Sequence, residues 1–137
     1  MIPKGFLFFT IYAGIKKPSR KYLSLIYSQI EADMAGAFTT NKVKAAPVKL
    51  DMRKIKSGKG RAVIVNSGNA NACTGRKGME DSVEMSELVA NSLKSKRPLV
   101  YVCSTGVIGT PLPMDRIRPK ITELVNDLGG SSLEDVA

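Results

Sequence analysis

The first third of the chain alternates apolar, aromatic runs with short polar breaks. Gly5–Tyr12 and Tyr22–Ile30 are rich in aromatic and β-branched residues, a composition typical of strands. Between them, Lys17-Pro18-Ser19-Arg20 predicts a turn, so we expect the two runs to form a hairpin. Ala35–Lys44 predicts a third strand, which Pro47 would limit because proline cannot donate a hydrogen bond to a β-ladder.

After this β-rich part the pattern changes to units of strand, loop and helix. Lys49–Gly60 predicts a basic connector with a short helix at Asp51–Lys56. From Arg61 onward, the continuous apolar run Ala62–Val65 predicts a strand covered on both faces. A loop of small and polar residues follows over Asn66–Gly78.

Two amphipathic helices are predicted in the second half. Apolar residues of the first recur at helical spacing: Met79, Val83, Leu88, Val89 and Leu93. It has acidic residues near its start and basic residues near its end, as the helix dipole favours, and Pro98 closes it. Leu99–Cys103 predicts a second buried strand and Ser104–Pro113 its loop. The last helix carries the apolar stripe Ile117, Ile121, Leu124, Val125 and Leu128, with Gly129 as its C-terminal cap.

These elements predict one domain over residues 1–137 with an α/β (α+β) fold. An N-terminal β-rich segment is followed by two strand-loop-helix units. The 43% hydrophobic and 24% charged residues are ordinary for a globular protein and exclude a wholly disordered chain.

Positive charge is concentrated at the N-terminal end. Residues 1–60 hold 12 Lys and Arg against 3 Asp and Glu, whereas residues 61–137 hold 9 of each, so the first part carries the whole net charge of +9. Such a surface suits nucleic acid, an anionic substrate, an acidic partner chain or plain solvation. A basic module that binds nucleic acid or another polyanion is therefore an alternative function. Phe6, Phe8 and Phe9 lie in an apolar run, which argues against stacking on bases.

The chain has no histidine and only two cysteines, which limits its chemistry. Triads that use histidine and the common zinc sites are excluded for this chain alone, and we expect neither metal nor cofactor. Gly58-Lys59-Gly60 precedes its strand and does not complete a nucleotide-binding motif. Cys73 has no evident base and is interpreted as a small packing residue. The acidic pairs Glu80/Asp81 and Glu134/Asp135 are interpreted as charges at helix starts.

Cysteine usage and hydropathy favour a reduced, cytoplasmic protein. Cys73 and Cys103 are too far apart for a metal-binding pair and do not make a disulfide framework. Phe6–Ala13 after Lys4 is long enough for the core of a secretory signal, but it equally predicts a buried first strand. No apolar run reaches the roughly 18 residues of a membrane-spanning helix.

Two loops after predicted strands are the places where an α/β fold binds ligands. The first, Asn66–Gly75, contains three asparagines and no bulky side chain, which predicts a tight, self-bonded loop that supports a site. The second, Ser104–Gly109, can direct backbone N–H groups and a hydroxyl at an oxyanion or phosphate; a plain strand-to-helix turn is the alternative.

Five sequence strings resemble the N-terminal α chain of the ornithine acetyltransferase family, the bifunctional glutamate N-acetyltransferases of arginine biosynthesis. In chain order, these strings are Ala13–Lys16, Ala35–Asn41, Ala45–Val48, Asn66–Gly75 and Ser104–Gly109 with Pro111–Met114. The resemblance covers nearly the whole chain, from about Gly5 to the last helix.

The resemblance implies a precursor that cuts itself before a threonine, giving an α and a β chain that stay together, as an α2β2 assembly. The new N-terminal threonine of the β chain is the nucleophile, with its own amine as base, which agrees with the absence of histidine. It takes an acetyl group from N-acetylornithine and passes it to glutamate. In such proteins a Thr-Gly pair holds the oxyanion, which corresponds here to Thr105 (hydroxyl) and Gly106 (backbone N–H). We expect neither nucleic acid nor a membrane as a partner.

The printed sequence ends at Ala137, before the glycine-rich Ala-Thr junction at which such precursors are cut. We therefore expect a fragment, the ordered part of a longer chain, or the product of a split gene. A hydrolase or aminopeptidase of the same self-cleaving design is a further alternative. Substrate-binding residues other than the Thr-Gly pair are not assigned.

Overall fold

The computed structural model describes residues 3–16 and 20–136. This part of the chain forms one sheet of four strands in the order β1-β2-β3-β4: β1 Phe6–Ile11, β2 Leu23–Asp33, β3 Lys59–Asn66 and β4 Val100–Ser104. Its α-helices are α1 Ala46–Lys54, α2 Gly75–Ser92, α3 Met114–Asn126 and α4 Leu133–Val136. Short 3₁₀ helices cover Ile55–Ser57 and Arg97–Leu99. No helix in these residues has the length and apolarity to cross a bilayer.

The strand pairing confirms the predicted hairpin. β2 is antiparallel to both β1 and β3, and β3 is parallel to β4. Residues 17–19 of the predicted turn Lys17-Pro18-Ser19-Arg20 lie outside the described residues. An irregularity in the pairing of β2 with β3 falls between Tyr27 and Ala32.

Helices cover one face of the sheet and leave much of the other open. Leu25, Ile64 and Val102 are adjacent across the sheet and fully or almost fully buried in one core with α2 and α3. Val63 and Val65 point to the opposite face and are only half-buried. The prediction that Ala62–Val65 is covered on both faces is therefore wrong within the described residues, because α2 and α3 pack on the face of Ile64.

The predicted third strand at Ala35–Lys44 is wrong. This segment is an irregular, mostly exposed stretch with a local turn. The Asn41 side-chain oxygen accepts from the Val43 N–H at 3.0 Å, and the backbone N–H of Asn41 donates to the Thr39 hydroxyl at 3.1 Å. Such local bonds replace a β-ladder. Pro47 then lies in the first turn of α1, which begins at Ala46, earlier than the helix predicted at Asp51–Lys56.

The buried face of α2 differs from the predicted apolar stripe. Of the predicted residues only Val89 is buried; the buried face consists of Gly78, Asp81, Ser82, Met85, Ser86, Val89 and Ala90. Small residues let α2 lie close to its neighbours, and Ser86 donates to the Val100 carbonyl at 3.0 Å. Asp81 is fully buried beside Lys77 rather than an exposed charge at the helix start, and its Oδ2 has no hydrogen-bond partner among the described residues. The helix ends at Ser92, well before Pro98.

The last helices match their predicted pattern except at one cap. Ile117, Ile121 and Leu124 of α3 are buried, as predicted. The C-cap is Asp127, not Gly129; Gly129 has a φ of 97° and donates its N–H to the Phe8 carbonyl at 3.0 Å, which joins the end of α3 to β1. Glu134 and Asp135 lie in the first turn of α4, and the Ser132 N–H and hydroxyl hold the pKa of the Asp135 carboxyl below its usual value.

Candidate active site

The parallel strands β3 and β4 end side by side, and the loops that follow them run together. We name Ser67–Thr74 the asparagine loop and Thr105–Pro113 the glycine loop. Three backbone hydrogen bonds join this region: Thr105 N–H to the Asn66 carbonyl (2.8 Å), Ala70 N–H to the Val107 carbonyl (2.9 Å) and Gly109 N–H to the Ala72 carbonyl (2.8 Å). The pairing of the two strands thus continues into their loops.

Asn66 organises the start of the asparagine loop. Its side chain is fully buried; Oδ1 accepts from the N–H groups of Gly68 (2.9 Å) and Asn69 (3.3 Å), and Nδ2 donates to the Asn69 carbonyl at 2.7 Å. Local bonding of this kind explains why asparagine suits tight loops.

Asn71 connects the same loop to α2. Its Nδ2 donates to the Gly78 carbonyl (2.8 Å) and the Ser82 hydroxyl (2.9 Å), and its Oδ1 accepts from the Thr74 hydroxyl at 2.7 Å. The backbone of Asn71 has a φ of 47°, a left-handed conformation that asparagine tolerates. The prediction of a tight, self-bonded loop is confirmed.

Two glycines allow the loops to approach each other and the N-terminal segment. A Cβ at Gly106 would lie 2.6 Å from backbone atoms of Gly68 and 2.8 Å from the Asn69 nitrogen, and its φ is 129°. A Cβ at Gly68 would lie 2.6 Å from the side chain of Ile15. Neither position accommodates a side chain without displacement of its neighbours.

The Thr105–Gly106 pair presents two free donors at the end of β4. Both residues are exposed, and neither the Thr105 hydroxyl nor the Gly106 N–H forms a hydrogen bond with any described residue. The adjacent Thr105 N–H, by contrast, is bound to Asn66. A fixed backbone with unsatisfied donors beside it is the arrangement that stabilises an oxyanion.

Most of the sequence strings that carry the family resemblance converge here. Ala13–Lys16 packs on the asparagine loop through Ile15, and the Ala46 N–H donates to the Asn71 carbonyl at 3.2 Å. Ala35–Asn41 instead lies near the end of α1, where Gly36 approaches Ile55. No separate sequence signal predicts the contacts of the Asn69 side chain with the glycine loop, because its partners Thr110 and Pro111 are distant in the chain.

Helix α1 supports the outer edge of β4, a role that the sequence did not predict. Asp51 accepts from the Val102 N–H at 3.1 Å, and the Lys54 ammonium donates to the Val100 carbonyl. Burial raises the pKa of the Asp51 carboxyl to about 6, against the opposing effects of Val102 and Lys54. Burial likewise lowers the pKa of Lys54 to about 8. The strand that carries Thr105 is therefore held on both edges.

Neither cysteine has the surroundings of a nucleophile. Cys73 is exposed with a φ of 58°, so its interpretation as a packing residue is wrong. Cys103 is also a free thiol, and burial raises its pKa, which disfavours the thiolate. The described residues contain no group of three side chains placed to hold a metal ion.

Part of the positive charge lines one cavity. Lys44, Lys49 and Arg53 lie around a space of about 550 Å³ beside Thr74 and the start of α2. Within the described residues, Lys49 and Arg53 form no salt bridge with a carboxylate.

Comparison with known proteins identifies relatives along almost the whole chain. The ArgJ family model matches residues 7–137. The arginine biosynthesis bifunctional protein ArgJ of Geobacter sulfurreducens is 57% identical over 134 residues, which cover 98% of this chain and 34% of that protein. The protein of the same name from Caldanaerobacter subterraneus is 55% identical over 116 residues, 85% of this chain and 28% of that protein.

A solved structure gives the same relationship. The crystal structure of ornithine acetyltransferase from Mycobacterium tuberculosis, complexed with ornithine, matches with a TM-score of 0.90 and 40% identity, over 94% of this chain and 70% of that one. The chain spans about a third of the length of the curated relatives it matches. On the family match and these identities, the chain belongs to the ArgJ family.

Proposed function

We propose that this chain is the α-chain part of an acetyltransferase that moves an acetyl group from N-acetylornithine to glutamate. Family membership and the similarity to an ornithine acetyltransferase solved with ornithine support this proposal. The observation that carries it is the pair of free donors, the Thr105 hydroxyl and the Gly106 N–H, at the end of a buttressed parallel strand. The nucleophile is a threonine at the N-terminus of a β chain from the same precursor.

Thr105 and Gly106 stabilise the negative charge that develops in both half-reactions. The β-chain threonine hydroxyl attacks the acetyl carbonyl and gives its proton to its own amine, and the two donors bind the resulting oxyanion. Collapse transfers that proton to the departing amine of ornithine and leaves an acetyl ester on the threonine. The glutamate amine then attacks the ester through a second oxyanion at the same donors, which releases N-acetylglutamate and restores the hydroxyl. The reaction balances without a redox group.

The open face of the sheet supports completion of the domain by a β chain. Val63, Val65 and Ile26 are half-buried on that face. In the glycine loop, Val107 is 44% exposed and Ile108 is 65% exposed, beside the proposed oxyanion donors. Apolar side chains at this position favour contact with another chain over solvent.

We infer a self-cleaved precursor, an α2β2 assembly and a cytoplasmic location.

Replacement of Thr105 by valine tests the proposed role. The change keeps the shape of the side chain and removes one oxyanion donor, so kcat falls by ~10²–10³ while KM is nearly unchanged. Steady-state transfer from N-acetylornithine to glutamate is measured with the mature two-chain enzyme, and chain separation is checked on a gel.

Thr40→Val is the matched control, because Thr40 is exposed in the irregular segment before α1 and its loss leaves kcat unchanged. The isolated 137-residue chain is the blank and transfers no acetyl group. A fully processed Thr105→Val enzyme with wild-type kcat removes Thr105 from the mechanism. Release of free acetate in place of acetylglutamate favours the hydrolase alternative.

A further inference from the structure

The Asn69 side chain joins the asparagine loop to the far end of the glycine loop. Its Nδ2 donates to the carbonyls of Thr110 (2.8 Å) and Pro111 (3.1 Å), and its Oδ1 accepts from the Asn71 N–H at 2.8 Å. The residue is only 4% exposed, so water has little access to replace these bonds.

The glycine loop donates few other backbone hydrogen bonds near this point. Pro111 and Pro113 carry no N–H, and the N–H groups of Thr110 and Leu112 form no hydrogen bond with any described residue. Backbone donation from the loop to the asparagine loop stops at Gly109. The bonds from Asn69 to the Thr110 and Pro111 carbonyls, together with the buried Leu112 side chain, therefore hold the end of the loop opposite to Thr105.

The backbone of Asn69 also touches the residue that presents the proposed oxyanion donor. Its nitrogen lies 2.8 Å from the position that a Cβ of Gly106 would take. The same residue thus limits where Gly106 can lie and holds the loop that follows it. An amide is needed, since a carboxylate at this place would face two carbonyl oxygens without a proton to donate.

We propose that Asn69 is a positioning residue for the oxyanion donors: through its side-chain amide it holds the glycine loop so that the Gly106 N–H and the Thr105 hydroxyl keep one direction. This inference rests on the proposed acetyltransferase function. Asn69 itself touches no reacting atom.

The test replaces Asn69 by aspartate in the assembled two-chain enzyme. Asn69→Asp keeps the volume of the side chain and removes both donors, so kcat falls by ~10- to 100-fold with little change in KM, because misplaced donors weaken the transition state more than substrate binding. Hydrogen exchange of the Gly109 N–H, which donates to the Ala72 carbonyl in the glycine loop, becomes faster, while that of β4 is unchanged. Asn69→Ala removes the same hydrogen bonds without adding a charge. It replaces Asn69→Asp in both measurements if the aspartate variant does not assemble with the β chain. Asn41→Asp, an exposed asparagine with only local bonds, is the control.

The two readouts separate this inference from the function on which it rests. Lower kcat together with faster exchange of the loop supports positioning by Asn69. Faster exchange with wild-type kcat overturns it, and so does lower kcat with unchanged exchange, or no change in either. Thr105→Val, measured in parallel, reports on the oxyanion site by itself: if it lowers kcat while the Asn69 variants do not, the site stands and the positioning role fails.

Discussion

Substitution of Asp51 by asparagine should make the protein less sensitive to pH between about 4 and 7. The carboxylate is 9% exposed at the edge of β4, and desolvation raises its pKa from 3.8 to about 6. Between these values the folded chain binds more protons than the unfolded chain, so the free energy of unfolding falls as pH rises through this window. The stability is fully present below the unfolded pKa and is lost as pH passes the folded pKa. Asparagine keeps an acceptor for the Val102 N–H and has no proton to lose.

The magnitude follows from the two pKa values of Asp51. Each pH unit between them is worth about 1.4 kcal/mol, so ionisation of Asp51 costs the fold about 3 kcal/mol in total. About 2 kcal/mol of this falls between pH 4 and pH 7. The pKa of about 6 for Asp51 already includes the attraction of the Lys54 ammonium, which lowers it.

Urea denaturation of the assembled two-chain enzyme, wild type and Asp51→Asn, at several pH values measures the effect. The stability of the variant relative to wild type should increase by about 2 kcal/mol from pH 4 to pH 7. Asp33→Asn is the control: Asp33 is exposed, and its bond to Lys59 lowers the pKa, so its small contribution has the opposite sign. If the free energies of unfolding of Asp51→Asn and wild type differ by a constant amount across this range, Asp51 is not a buried carboxyl with a raised pKa.

Further expectations concern the glycine loop and the basic surface. Gly106→Ala should cost roughly 1–3 kcal/mol of stability and most of the activity, because its Cβ meets backbone atoms; Gly109→Ala, with a φ of 78° but nothing within 4 Å, should cost about 1 kcal/mol. Thermal unfolding and the acetyl-transfer assay compare the two, and equal losses would contradict the close approach of Gly106 to Gly68. Random duplex DNA should bind weakly and be released by modest salt. Sub-micromolar DNA binding at physiological salt would instead support the basic binding module.

The sequence by itself determined the elements whose patterns are local. β3 and β4 are short apolar runs bounded by small polar residues, and α3 has a regular apolar stripe with Ile117, Ile121 and Leu124 buried. The order strand, loop, helix was enough to indicate the loops after β3 and β4 as the places where an α/β fold binds ligands. The composition of Ser104–Gly109 indicated donors for an oxyanion, and the family resemblance assigned that role to Thr105 and Gly106 within this loop.

Tertiary contacts decided which faces are buried and which polar groups find partners. Asp81, Ser82 and Ser86 give α2 a partly polar buried face, because neighbouring elements supply partners for both serines and Lys77 pairs with Asp81. Ala35–Lys44 has strand-like residues, yet both edges of β2 are already paired with β1 and β3. The Asn69 side chain donates to the carbonyls of Thr110 and Pro111, which lie 41 and 42 positions further along the chain. Burial and hydrogen bonding of this kind depend on which element lies opposite, and a one-dimensional pattern does not contain that information.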